Sequence, residues 1–77
     1  MLKALYQLTL EVEPAGSYAS VMESRTVEAE TVAQALAAVC DWPATADNLE
    51  LGGMAVDPTT GPLLKRCWFA TRLRYLL

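Results

Sequence analysis

The sequence predicts an α+β fold in which one helix packs on a four-stranded, mostly antiparallel sheet, with elements in the order ββαββ. Three observations carry this: two-residue alternation of apolar positions at the start of the chain, one segment of helical period in the middle, and a strand-turn-strand pattern at the end. At 77 residues, 53% apolar and net charge −3, the chain makes a single domain, residues 1–77. Its apolar content is too high for a disordered chain, and no apolar run approaches the roughly 20 residues of a membrane helix. So small a core buries only about 60% of the surface of the unfolded chain, which makes the fold marginal unless it is compact or oligomeric.

The first strand is read from Leu2 to Val12. Its even positions (Leu2, Ala4, Tyr6, Leu8, Leu10, Val12) are apolar, whereas the odd ones read Lys3, Leu5, Gln7, Thr9, Glu11 and Glu13. Pro14, Gly16 and Ser17 form a turn, and Tyr18 to Ala29 returns as the second strand of a hairpin. Alternation there fails unless a bulge falls near Glu23 to Arg25. Thr31 and Gln34 have the spacing of a capping box, and Val32, Ala35, Leu36 and Val39 repeat at helical intervals, predicting about three turns that stop near Asp41 or Trp42, before Pro43. A polar link from Ala44 to Asn48 leads to a glycine-weakened third strand, Leu49 to Val56. Asp57-Pro58-Thr59-Thr60-Gly61 makes the second hairpin loop. The last strand, Leu63 to about Leu76, sets Leu63, Cys67, Phe69, Leu73, Tyr75 and Leu77 on one face and Arg66, Trp68, Ala70, Arg72 and Arg74 on the other. Taking the first face as core, Val32, Leu36 and Val39 should pack against Leu8, Leu10, Phe69 and Leu73.

Catalytic chemistry finds little support. There is no His, no P-loop, GxGxxG or GxSxG motif and no calcium loop, and a sheet with one helix leaves little room for a pocket of ~300 Å³. A non-enzyme without cofactor is expected. Cys40 and Cys67 form no CxxC pair, so no metal site is expected, and both thiols should sit reduced in the core. Gln7, Thr9 and Glu11 interrupt the apolar stretch of a secretory leader, which points to the cytoplasm.

Charge is unevenly distributed. Residues 10–60 hold all nine acids and one base, net −8, whereas residues 61–77 hold Lys65, Arg66, Arg72 and Arg74 and no acid, net +4. The basic strand either pairs laterally with Glu11, Glu13 or Glu50, or presents Arg66, Trp68, Arg72 and Arg74 to a partner, these being residue types enriched at interface hot spots. On the second reading Trp68 is exposed and awaits burial by the partner. A one-residue slip of register would instead put Trp68 inside and expose Cys67 and Phe69. The same stripe as a nucleic-acid platform is opposed by the acidic remainder of the chain, whose pI is ≈ 4.6, so direct nucleic-acid binding is not expected. The acids Glu23, Glu28, Glu30, Asp41, Asp47, Glu50 and Asp57 either solubilise the domain or form an acidic surface that engages a basic one in place of phosphates. Ala33, Ala37 and Ala38 on the second helix face, with apolar residues on both faces of the last strand, predict a homodimer.

The stretch Arg25-Thr26-Val27-Glu28-Ala29-Glu30-Thr31-Val32-Ala33-Gln34-Ala35, a strand end passing through Thr into an Ala-rich helix, resembles small phage-encoded proteins that include anti-CRISPR inhibitors. It covers 11 of the 77 residues. The resemblance implies a viral protein of the host-cell cytoplasm that acts by binding, without cofactor or catalysis, on a bacterial defence complex. The function expected is therefore a non-catalytic inhibitor or adaptor working by surface occlusion, the alternative being a small nucleic-acid-binding regulator.

Overall fold

The alternating N-terminal segment becomes strand β1 (Ala4–Pro14), in which Ala4, Tyr6 and Leu8 are buried and the residues between them are not. The computed structural model describes residues 2–48, 52–61 and 63–77. After β1 come β2 (Ser20–Ala29), α1 (Val32–Ala37), β3 (Ala44–Asn48), β4 (Gly52–Val56) and β5 (Leu64–Tyr75). The described strand pairs are all antiparallel and form one sheet in the order β2-β1-β5-β4-β3, with α1 packed on one face. This is the expected α+β class and succession of elements, with one addition. Ala44 to Asn48, read from sequence as a link, is an edge strand paired with β4, which satisfies backbone groups that a bare link would leave to water. Leu49, Glu50 and Leu51, the start of the expected third strand, lie outside the described residues.

Turn chemistry joins the strands as the sequence demands. At the β1–β2 turn the Ser17 N–H donates to the Pro14 carbonyl, and Gly16 takes a φ of 75° that a side chain would strain. The expected bulge in β2 is present at Met22, one residue before the expected stretch, where the pairing passes from Leu10↔Glu23 to Glu11↔Val21. Gly52 meets β5 so closely that a Cβ there would lie 2.6 Å from the Ala70 carbonyl oxygen.

The helix begins where expected but is shorter. Thr31 caps it, its hydroxyl accepting from the Gln34 N–H at 3.1 Å, while the Gln34 side chain accepts from the Glu30 N–H at 3.0 Å. Its regular part ends at Ala37 rather than near Asp41, because the next turn tightens: the N–H groups of Val39 and Cys40 both donate to the Leu36 carbonyl. The early exit lets Val39, Cys40 and Trp42 pack against the core as an irregular extension of the helix.

The last strand corrects the sequence reading. In β5 the residues opposite Leu10 and Leu8 are Trp68 and Ala70. Directly opposed residues share a face, so Trp68 lies under the helix and is only 4% exposed. Phe69, on the far face, is half-buried, and Leu73 is exposed; neither belongs to the core. The expected core contacts therefore hold for Leu8 and Leu10 and are replaced at Phe69 and Leu73 by Trp68 and Ala70. With apolar residues on both faces, the alternation of β5 does not choose its inward side; burial of the larger indole beneath the helix does. Cys67 is buried on the far face, between Glu11 of β1 and Val56 of β4.

Two outcomes check this core. Leu36→Ala should cost about 2–5 kcal/mol, through lost transfer energy and the cavity left, and should lower the denaturant midpoint accordingly. With Trp42 changed to Phe, emission from Trp68 should be blue-shifted and shielded from quencher without any partner, and Trp68→Ala should destabilise the domain by about 3–5 kcal/mol. A red-shifted, quencher-accessible indole would place it outside.

Candidate functional site

The basic residues of β5 do not form the exposed stripe expected of them. Arg66 and Arg72 share the helix side of the sheet with Trp68, which is core and so is not available to a partner. Arg74 is turned to the opposite face by a bulge at Leu73, where the pairing steps from Leu5↔Arg74 to Tyr6↔Arg72. The regular part of α1, six residues at ~1.5 Å each, covers only the middle of strands that extend about 40 Å. Beyond its ends, guanidinium groups lie over rings: Arg25 over Trp68 at 5.9 Å, Arg66 over Trp42 at 5.5 Å and Arg72 over Tyr75 at 4.4 Å.

Arg66 is also tied to Asp57, its Nη1 lying 3.5 Å from Oδ2. Asp57 was expected on the acidic surface, yet it is 4% exposed. The hairpin loop it opens folds over it. Its Oδ1 accepts from the Thr59 N–H at 2.8 Å and from the Thr59 hydroxyl at 2.6 Å, its N–H donates to the Arg66 carbonyl at 2.9 Å, and the Thr60 hydroxyl donates to its carbonyl. The hydrogen bonds from Thr59, with the Arg66 charge, hold its carboxyl below the ordinary 3.8 against the opposing effect of burial.

The other expected acids are dispersed. Glu23 pairs with Arg25 at 2.7 Å, Glu28 and Asp41 are exposed and Glu30 is half-buried. Glu50 and the Asp47 side chain lie outside what is described. Glu28 points from the face opposite the helix, since it pairs with Leu5, and Asp57 is inside, so the described acids of this set do not share one surface. Of the expected lateral partners of the basic strand, Glu13 lies opposite Lys65 and Glu11 opposite Cys67 in the β1–β5 register. Cys40 and Cys67 are free thiols, the first packed against the helix-side core and the second on the far face, where burial pushes its pKa up. Among the described residues no three His, Cys, Asp or Glu side chains converge as metal ligands would, and no helix is long and apolar enough to cross a membrane.

One concavity is larger than expected of a fold read as leaving little room for a pocket. A groove of about 460 Å³ opens between the start of α1 and the ends of β1 and β5, lined by Tyr6, Glu30, Thr31, Val32, Ala33, Arg72 and Tyr75. The bulge at Leu73 creates its basic wall. In a regular strand residues three apart point to opposite faces; the extra residue brings Arg72 and Tyr75 together, and the Arg72 Nη1 donates to the Tyr75 hydroxyl. Tyr75 is 49% exposed and the neighbouring Leu73 52%. Alternation had assigned Tyr75 to the core, and nothing in the sequence marks the bulge that overrides it. No family model matches the chain, and no curated protein and no solved structure is significantly similar to it.

Asp57 yields an acid-dependent prediction. A carboxyl with a lowered folded-state pKa contributes stability that is present above its unfolded value and is lost as pH falls through the folded one. The wild type should therefore lose denaturant resistance below about pH 4. Asp57→Asn should be less stable at pH 7 and show less of this acid loss. Parallel acid profiles for the two would remove Asp57 from that role.

Proposed function

We propose that this chain is a non-catalytic binding protein, an inhibitor or adaptor that occludes the surface of a protein partner. The observation that carries the reading is the Arg72–Tyr75 stack beside the groove at the start of α1. It presents a half-exposed tyrosine and a guanidinium held over its ring, next to the exposed Leu73, and Tyr and Arg are the residues that most often anchor protein interfaces. The groove admits a side chain of the partner, Tyr6 and Val32 giving it apolar walls and Glu30 and Arg72 polar ones.

In its most specific form, supported by the resemblance of Arg25 to Ala35 to small phage-encoded inhibitors, the partner is a bacterial defence complex and the protein works in the host cytoplasm. The nucleic-acid alternative is weakened by the burial of Trp68, which removes the ring proposed to stack on bases.

Capture from bacterial lysate should yield a defined protein partner. Tyr75→Ala should weaken that complex by roughly 2 kcal/mol, leaving the Trp68 emission of the free protein unchanged. Arg72→Glu should weaken it as well. Retention of naked DNA or RNA at low salt, released steeply as salt rises, would instead establish the nucleic-acid regulator.

A further inference from the structure

The sheet has a second face that no described element covers. On it lie Leu5, Gln7, Thr9, Glu11 and Glu13 of β1, Lys65, Cys67, Phe69, Thr71 and Arg74 of β5, Met54 and Val56 of β4, and Val21 and Glu28 of β2, as the pairings dictate. The distribution across this face is not uniform. Met54, Val56 and Phe69, all half-buried, surround the buried Cys67 across β4 and β5, with Glu11 bordering them on β1 and the other charges nearer the two ends. One end carries Arg74 and Glu28 beside Leu5; the other carries Glu13 and Lys65. An apolar centre within a charged rim is the layout of a protein interface.

We propose that a second copy of this chain covers that face, the two sheets stacking face to face about a two-fold axis. Area supports this occupant. A folded monomer of 8.4 kDa exposes about 4,600 Å² by the usual scaling of surface with mass, whereas this chain exposes 5111 Å². With long dimensions of 43 × 19 Å, the face offers at most about 800 Å² per copy, the area a stable dimer ordinarily buries on each partner. With the axis across the strands, each strand lies end for end over its own copy, and Phe69 falls near the axis. The rival route, edge-to-edge pairing through β2, is opposed by the bulge at Met22 and by Glu23, Arg25 and Glu28, devices that keep edge strands apart. The expected contact through Ala33, Ala37 and Ala38 has only a six-residue helix to offer.

The groove lies on the opposite side of the sheet, so this dimer is independent of the proposed partner site. Sedimentation equilibrium at ~100 µM, well above the weakest dissociation constant usual for an interface of this area, should give twice the chain mass of 8.4 kDa. Phe69→Glu should weaken the dimer by at least about 30-fold, as loss of a central anchor does. Thr9→Arg, opposite Phe69 on the same face, should do likewise and decides the matter if Phe69→Glu fails to fold, with Trp68 emission reporting folding from the other side of the sheet. A wild type that remains at 8.4 kDa overturns the proposal. So does a dimer that survives both face substitutions when folded, or one abolished by Thr26→Pro on the β2 edge while both leave it intact.

Discussion

The arrangement of this molecule depends on how β5 pairs with β1. With Leu8 opposite Ala70 and Leu10 opposite Trp68, large and small side chains alternate on the helix side, and Leu36 and Val32 of α1 settle among Ala35, Ala55 and Ala70. A shift by one residue would exchange Trp68 and Ala70 for Phe69 and Cys67 beneath the helix, and would move Arg66 and Arg72 away from their rings. Core composition, the salt link to Asp57 and the wall of the groove follow from one register. The small residues matter as much as the indole, because a close-packed interior accommodates one large ring only where its neighbours yield volume.

Legibility varied with the strength of each local pattern. β1 was readable because apolar and polar residues alternate almost without exception, and the start of α1 because Thr31 and Gln34 satisfy each other's neighbouring backbone groups. The Asp57 loop was readable as a turn but not as a buried carboxylate, since its burial comes from Arg66 nine residues away on the returning strand. β5 was ambiguous in principle: both its faces are partly apolar, and the bulge at Leu73 reverses alternation near its end without any glycine or proline to announce it. The candidate site suffered most, because half of the Arg72–Tyr75 pair had been placed on the other side of the sheet.

Arginine plays a structural part that its charge alone does not suggest. On the helix side of the sheet the planar heads of Arg25, Arg66 and Arg72 lie over the rings of Trp68, Trp42 and Tyr75. Each such contact contributes roughly 0.5–1 kcal/mol at an exposed site, little beside the burial of Trp68, yet together they extend cover along strands too long for six helical residues. Replacement by lysine would keep the charge and lose the flat cover.

The order of strands has a consequence for how the chain acquires its structure. β1 lies between β2, its neighbour in sequence, and β5, the last element, with Ala4 paired to Tyr75. During synthesis the β1–β2 hairpin and α1 emerge first, but the seat for Leu36 lacks Trp68 and Ala70 until β5 has left the ribosome. Before then β1 offers one unpaired edge bearing Tyr6, Leu8 and Leu10, a segment prone to pair with other chains. Pairing strands as far apart in sequence as β1 and β5 is entropically slow, and a product truncated before β5 would lack the strand that completes the core. Arrival of β5 is thus the event that commits the nascent chain to its fold.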